Sequence, residues 1–545
     1  MPENDGSAEL DVLIVGAGFG GIHMLQRAKA EGFTARALER GAGIGGTWYW
    51  NRYPGARCDF DSFDYSYEFD PELEQEWTWS ERYPSQPEIL RYLDHVVDRY
   101  RLRDDIRLET TVTAASWDEE RARWTATAQG PDGEETLGAR FLVLATGALS
   151  LPRIPDIEGL DAFAGEVLST AAWPEQPPEL AGRRVAVIGT GSSGVQVVPP
   201  IADVAERLTV LQRTPSYVVP ARNHPVSAEA YARILAEAGP RRARAREGFL
   251  GVDFPAAGPS AKAASPAERE RAFQERWDLG GSAILGSYFD LLMDRESNDL
   301  LVDWLKAKAR AIVHDPETAA VLTSQDYPVG ARRIVIDTDY YDTFNREHVD
   351  LVDLRREPIR RFVPEGVVVG DERLIPLDAV VFATGFDALT GPILRIDLRG
   401  RDGRSLAEEW ADGPVANLGV QVAGFPNLFL ISGPLSPSVM ANVVKAIEQH
   451  VGWLGDLLAH ARDEGVELIE TEPEPQAAWV EQVREIAAGT LLMAGDSWYL
   501  GANVPGKPRG FLAYVGGIPA YRQALADVAD SGYRGFVLGR RQAAG

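Results

Sequence analysis

Cysteine is almost absent. Cys58 is the only one in 545 residues, which excludes an intramolecular disulfide, a cysteine metal cluster and any reaction that needs a redox pair of thiols. Such usage fits a reducing cytoplasm, and Cys58 itself reads as a small packed residue. Long apolar runs are also missing. No stretch reaches the roughly 18 consecutive apolar residues of a membrane span, so no transmembrane helix is expected. Met1–Leu10 is polar and acidic, without the basic start and apolar run of a signal peptide. Positive charge is in deficit: 55 Lys and Arg face 81 Asp and Glu, a formal net charge of −26. Nucleic acid and anionic membrane are therefore poor partners, and any site for an anionic ligand must assemble its own positive patch. No tandem repeat or long low-complexity tract is found. The tail Arg540–Gly545 reads as frayed. What remains is an ordinary globular composition, in a chain too long for one hydrophobic core.

Asp11–Gly21 reads D-V-L-I-V-G-A-G-F-G-G. Val12–Val15 suits a buried parallel strand. Gly16, Gly18 and Gly21 then give G-x-G-x-x-G at the start of a helix running to about Gly32. These glycines allow a tight turn, a close approach of backbone to a pyrophosphate, and packing of helix on strand. The helix N-terminus favours the phosphates through its free N–H groups and dipole. Thr34–Leu38 is a second strand. Glu39 at its end stands roughly 20 residues on, where an acid holds a ribose hydroxyl pair.

The motif recurs at Arg184–Gly194, R-V-A-V-I-G-T-G-S-S-G. Gly189, Gly191 and Gly194 repeat the spacing, and Ser192 and Ser193 can cap the helix and donate to phosphate. The strand that follows, Leu208–Gln212, ends in Arg213-Thr214-Pro215 and not in an acid. A carboxylate there would repel a 2′-phosphate, whereas Arg pairs with it bidentately. The first site therefore reads as FAD with Glu39 on the ribose, and the second as NADPH. Flavoprotein disulfide reductases share two such sites, but a single cysteine excludes their chemistry.

The rest falls in place around these two sites. Phe141–Gly147 and Asp378–Phe386 each end a buried strand in A-T-G, as if closing one nucleotide domain each. The fold class is α/β: two nested Rossmann-like dinucleotide-binding domains with a helical insertion. The expected division is FAD domain 1–147, NADP domain 148–224, insertion 225–330, NADP domain 331–388 and FAD domain 389–545. Leu151–Pro155 is an extended linker. Helices are expected at Pro84–Tyr100, Ser227–Ala238, Ser265–Leu279, Leu300–Ala311 and Val443–His460. Strands are expected at Ile106–Asp118, Arg123–Ala128, Ala331–Thr338, Val367–Gly370, Leu374–Pro376 and Asn427–Gly433. Gly251–Ala264 reads as flexible, and the insertion as a cover for the active site. Gly43–Asp59 is an aromatic and glycine-rich loop, expected to fold over a flat partner or against another domain.

That loop resembles a long signature of type I Baeyer–Villiger monooxygenases, carried here by Gly45, Gly46, Trp48, Tyr53, Pro54, Gly55 and Asp59. Phe163, Gly165, Trp173 and Pro174 match the linker fingerprint of the same family, with Ser169 where the family has His. Ser497-Trp498-Tyr499 with Gly501, Ala502 and Asn503 extends the resemblance towards the C-terminus. The resemblance implies that NADPH reduces FAD, that reduced flavin captures O₂ as a C4a-peroxide, and that this attacks a ketone to give an ester or lactone without metal. It implies Arg333 as the active-site arginine and Asp59 as the carboxylate that positions it. Arg332 stands where the family usually has a Lys near the 2′-phosphate, joining Arg213 and Thr214. For the flavin it implies Glu39, Trp48, Arg57, Asp59, Tyr65 and the backbone of Val112, and Trp498 on the nicotinamide side. Gly433–Met440 is similar to the loop of the phenylacetone and steroid branch, which places Val439 and Met440 in a pocket for a bulky aryl or polycyclic ketone. Ser169 is expected to leave oxygenation possible and to alter its coupling to NADPH oxidation. Two other readings stay open: a class B monooxygenase that oxidises N or S, and an NADPH oxidase or sensor. The partners are then a small ketone and O₂, with the chain a monomer or weak oligomer.

Overall fold

The computed structural model describes residues 9–540. The remaining N-terminal residues, read above as no signal peptide, and the tail beyond Arg540 lie outside the described residues.

The first sheet has eight strands. Leu10–Val15 pairs in parallel with Ala35–Leu38 on one side and with the C-terminal half of Gly133–Leu144 on the other. Leu428–Leu430 extends the parallel part, so the C-terminal third of the chain does return to the first domain. Val12, Leu13 and Ile14 are fully buried, as befits a parallel strand covered on both faces. One face packs on helix Phe19–Ala30, which lies against helix Val443–Asp463. The other face is covered by a core that includes Trp117, Trp124 and Phe425. The antiparallel pair Thr111–Asp118 and Arg123–Gly130 continues the sheet.

The second sheet is wholly parallel. Its order is Val349–Asp353, Arg207–Gln212, Arg184–Ile188, Ala379–Phe382 and Glu166–Ser169. Helix Ser192–Ala202 covers one face, and a three-stranded antiparallel sheet, Ile359–Pro376, covers the other. The 163–174 fingerprint thus supplies an edge strand.

Three expectations change. Ile106–Asp118 is not one strand: Ile106–Arg107 pairs in parallel with Ala37 and Leu38, and the chain turns at Glu109, whose φ is 52°. Ala331–Thr338 shortens to Val335–Asp337, which pairs with Val218–Pro220 in a small separate sheet. Arg332 and Arg333 precede it in a loop begun by the Ala331 N–H to Pro328 carbonyl turn. Gly251–Ala264 is irregular but anchored. Gly258 exchanges hydrogen bonds with Ser287 and Phe289, and the buried Ala261 donates its N–H to Asp290 at 3.0 Å.

The insertion holds five helices between Ala228 and Leu322. Ser265 and Glu268 form a capping box on the third, so the local signal S-P-A-E is realised. Helix Ala238–Glu247 docks on the first domain through Arg241 and Arg242, which pair with Asp64, Glu68 and Glu74. No helix of the described residues is long and apolar enough to cross a membrane.

Candidate active site

The C-terminal ends of the first sheet's parallel strands open into a cavity of about 420 Å³. Ligands bind at this end of open α/β sheets because the strand order reverses there and leaves a crevice. Val15, Gly16, Gly18, Leu38 and Glu39 form one wall, and Ala145–Leu151 another. Glu39 is buried, and it braces the glycine turn. Its two carboxylate oxygens accept from the N–H groups of Ala17 (2.9 Å) and Gly41 (2.8 Å) while the side chain still faces the cavity. Thr110 N–H bonds to the Glu39 carbonyl at 2.8 Å, which brings Thr110–Val112 to the same rim.

The aromatic loop folds over this turn. Gly45 N–H donates to the Ala17 carbonyl at 2.8 Å. Trp48 and Tyr65 are buried; Trp48 Nε1 donates to Tyr65 Oη at 3.2 Å, with their rings edge to face. The loop then crosses to the second domain. Tyr53 Oη donates to Gln196 Oε1 at 2.7 Å, and Gln196 Nε2 donates to the Arg57 carbonyl at 3.1 Å. Gly55 makes this crossing possible. Its φ is +85°, and a Cβ there would overlap the Gln196 carbonyl. Gly55→Ala is expected to lower the thermal midpoint by about 1–2 °C, through left-handed strain of roughly 1–2 kcal/mol. Flavin-release fluorescence on heating measures it; an unchanged midpoint would mean the loop yields freely.

Arg333 lies at the meeting point of both domains. Its Nε donates to Asp59 Oδ2 at 2.7 Å, and Nη2 lies 2.6 Å from the same oxygen. Its Nη1 donates to the Val439 carbonyl at 2.8 Å. The side chain keeps 27% exposure, towards the cavity. Burial works against its charge, but Asp59 and neighbouring groups outweigh that and hold the guanidinium above the ordinary arginine range. Tyr499 touches the pair, and its hydroxyl is pushed up to about 12, by burial first. Burial, then Asp59, pushes the Cys58 thiol well up. Next to Arg333, Cys58 is a protonated wall residue and not a nucleophile.

Of the residues expected from sequence, Gly16, Gly18, Glu39, Trp48, Arg57, Asp59, Tyr65, Val112, Ser192, Ser193, Arg333, Val439 and Trp498 line this one cavity. Arg57 lines it with its guanidinium already engaged, by Glu81 at 2.8 Å and the Tyr83 carbonyl at 3.1 Å. Gly21 sits behind the turn. Met440 is a correction: it packs on the cluster around Leu492 and Tyr499 and does not line the cavity. The short 3₁₀ turn Ser438–Met440 points consecutive side chains in different directions, so only Val439 reaches in. No residue of the insertion, 225–330, lines the cavity. The insertion braces the walls from outside.

Gly189, Gly191, Gly194, Arg213, Thr214 and Arg332 stand beyond the cavity, at the second turn. Thr190 Oγ1 donates to the Thr214 carbonyl at 3.2 Å, which ties the glycine turn to the end of strand Arg207–Gln212. The Arg332 guanidinium lies 5.1 Å from the Tyr327 ring centre, and Tyr327 Oη donates to the Pro215 carbonyl at 2.8 Å. Arg332 Nε is buried without a hydrogen-bond partner. An orphaned cation beside Arg213-Thr214 fits an anionic group. Ser192, Ser193 and Gln196 reach the main cavity from the helix that follows the second turn, so that helix joins the two nucleotide sites.

Sequence reasoning missed Gln196 and the Val439 carbonyl, and gave Tyr499 a place in the resemblance but no role. Gln196 had a signal, one helical turn after Ser193 and on the same face. A backbone carbonyl has none.

Residues 10–239 match the model of the pyridine nucleotide-disulphide oxidoreductase family. With one cysteine, the match carries the nucleotide-binding architecture and not the disulphide chemistry. The chain is 41% identical to a phenazine N-monooxygenase of Lysobacter antibioticus, over 99% of its own length and 98% of that protein. It is 38% identical to a Baeyer–Villiger monooxygenase of Pseudooceanicola batsensis, over 98% of its own length and 97% of the relative. The solved structure of an oxidised steroid monooxygenase bound to NADP superposes with a TM-score of 0.93, at 46% identity over 98% of this chain and 100% of that one. With the Arg333–Asp59 pair and the first dinucleotide turn in one cavity, and Ser192 and Ser193 reaching it from the helix of the second, the chain belongs to the Baeyer–Villiger monooxygenase family of FAD- and NADP-dependent flavoproteins.

Proposed function

We propose that this protein converts a ketone into an ester or lactone: ketone, O₂, NADPH and a proton give the ester, NADP⁺ and water. The observation that carries it is the Arg333 guanidinium, clamped by Asp59 and the Val439 carbonyl and turned to the cavity. A fixed cation is what an oxygen insertion needs where negative charge develops on the carbonyl oxygen. FAD, when bound, supplies the electron transfer and the activation of O₂. The residues present fit it. Gly16 and Gly18 would leave room for a pyrophosphate at the N-terminus of helix Phe19–Ala30, Glu39 would take the ribose, and Trp48, Tyr65 and the Val112 backbone would line the space for the ring. Asp59 is a positioning residue: it holds Arg333 in one rotamer and sustains its charge. Gly189, Gly191, Gly194, Ser192 and Ser193 would take the pyrophosphate of NADPH, and Arg213, Thr214 and Arg332 its 2′-phosphate. Trp498 would stand on the nicotinamide side. The apolar rings and Val439 keep water from the reacting atoms.

A bulky aryl or polycyclic ketone remains our choice, now on Val439 alone. N-oxidation is the second reading, favoured by the phenazine N-monooxygenase relative. Mass analysis of products from a panel of ketones, sulfides and N-heteroaromatics, with NADPH and with NADH, decides between them. Ester from ketones only supports the first reading. N-oxide without ester selects the second, and stoichiometric H₂O₂ without either product sinks both.

Ser169 ends the edge strand Glu166–Ser169, and its Oγ accepts from the Ala171 N–H at 3.3 Å. Four residues on, Trp173 N–H donates to the Trp50 carbonyl at 3.2 Å. It therefore sits on the connection between second sheet and aromatic loop, not in the cavity. Ser169→His is expected to keep ester formation and to shift the ratio of H₂O₂ released to NADPH consumed by about twofold or more. Equal ratios in both proteins would remove Ser169 from the coupling.

A further inference from the structure

We propose that Arg153 is a third guanidinium for the 2′-phosphate of NADPH, and that it sets part of the preference for NADPH over NADH. This rests on the NADPH reading of the second site.

Arg153 lies in the linker between the two A-T-G turns. Ala148–Leu151 line the main cavity, and Arg40 Nη2 donates to the Ser150 carbonyl at 2.8 Å. The linker then leaves that cavity. Pro152 pairs with Phe386, the Arg153 N–H donates to the Gly385 carbonyl at 3.0 Å, and Thr384 Oγ1 donates to the Arg153 carbonyl. The Arg153 backbone is thus held on both sides by the second turn, Ala383-Thr384-Gly385. That turn packs so closely behind Gly189 that a Cβ on the glycine would overlap the Ala383 carbonyl. Arg153 is built into the second nucleotide site, although the chain reaches it from the first.

Its charge has no counter-ion. Among the described residues, the half-buried Arg153 makes its hydrogen bonds through its backbone and none through its guanidinium, and the exposed Arg213 side chain is likewise without a hydrogen bond or ion pair. Asp387, the acid that Arg153 feels, is held by Lys507 Nζ at 2.6 Å. Arg213 is the like charge that Arg153 feels. Burial first and Arg213 second hold the Arg153 guanidinium below the ordinary arginine range. Arg332 approaches the Arg213–Pro215 turn through Tyr327, with its Nε unpartnered. A chain of net charge −26 has carboxylates in excess, yet Arg153 and Arg213 repel each other here while the nearby acid, Asp387, is already taken by Lys507. Like charges held together repel until a counter-charge arrives. A phosphate dianion at the end of strand Arg207–Gln212 would relieve the Arg153–Arg213 repulsion, and guanidinium is the group that binds it in a fork.

The FAD-loaded enzyme and its Arg153→Gln, Arg153→Lys and Arg213→Gln variants are titrated with NADP⁺ and NAD⁺ by calorimetry, at low and physiological salt. Arg153→Gln is expected to weaken NADP⁺ about tenfold, the scale of one charged hydrogen bond. NAD⁺ affinity should stay within about twofold, and the salt dependence of NADP⁺ binding should become shallower. Arg153→Lys should fall between, keeping the charge and losing the fork. If Arg213→Gln loses NADP⁺ and Arg153→Gln does not, the role of Arg153 is overturned and the second-site reading stands. Equal weakening of NADP⁺ and NAD⁺ by Arg153→Gln makes the residue structural and also overturns the role. If neither Gln variant affects NADP⁺, the second-site reading fails and takes the inference with it.

Discussion

Replacing Arg333 by alanine is expected to lower ester formation by about 10²–10³-fold, the usual loss when one donor aimed at developing negative charge is removed. FAD should remain bound, because the glycine turn, Glu39 and Tyr65 are untouched by the change. NADPH should still be consumed, with its electrons appearing as H₂O₂. Arg333→Lys should recover little. A single ammonium cannot reproduce the planar grip on both the Asp59 carboxylate and the Val439 carbonyl. Asp59→Ala should mimic much of the loss, since Asp59 opposes the burial that would otherwise weaken the Arg333 charge. The double variant should cost little more than Arg333→Ala alone, as expected of two residues acting as one unit. The pH profile separates this role from that of a general acid. The Arg333 pKa lies above the ordinary arginine range, so the charge persists throughout the working range and no loss of activity at moderately alkaline pH should trace to it. Ester yield by gas chromatography, peroxide release and anaerobic flavin reduction are the measurements. Undiminished ester formation by a flavin-loaded Arg333→Ala enzyme would remove the guanidinium from the mechanism.

Much of this arrangement was legible because local spacing encodes it. Gly16, Gly18, Gly21 and Glu39 are fixed by the geometry of one strand, one turn and one helix. The same holds at Gly189–Gly194. The Arg333–Asp59 pair spans 274 positions, and only the resemblance of a whole signature brought it into view. Where local pattern misled, long-range pairing had won. Ile106–Asp118 alternates like one strand, but Glu109 turns it so that one part joins Leu38 and the other Arg123–Gly130. Ala331–Thr338 has a β pattern, yet its first half is drawn into a loop that presents Arg333 to Asp59. Met440 and Val439 are adjacent, and the tight turn alone decides which faces the cavity. Arg153 was read as linker, because nothing in L-P-R-I-P says which carbonyls its backbone meets.

Gly21→Ala should cost the enzyme its flavin. Gly21 is buried in the first turn of helix Phe19–Ala30, and a Cβ there would overlap the Gly16 carbonyl and touch Ala145. Neither neighbour can give way: Gly16 holds φ +105° hard against the Ala145 carbonyl, in the backbone of the A-T-G return. The helix must move off the strand instead. A displacement of about 1 Å is enough to cost on the order of 10²-fold where geometry is tightly set. The moving part here is the helix N-terminus that would hold the pyrophosphate. FAD affinity is expected to fall by about that factor, while overpacking costs the fold only about 1–3 kcal/mol. Gly194→Ala makes the same collision at the second turn, with the Gly189 carbonyl and Ala383. It should leave FAD stoichiometric and weaken NADP⁺ instead. The contrast separates local damage at one nucleotide turn from general misfolding, which would affect both variants alike. The ratio of flavin to protein absorbance after gel filtration measures the first, and calorimetry with NADP⁺ the second. Full flavin occupancy in Gly21→Ala, at protein concentrations near the wild-type dissociation constant, would show that helix and strand have slack to spare, and the cavity would then owe its flavin to the aromatic loop and not to the glycine turn.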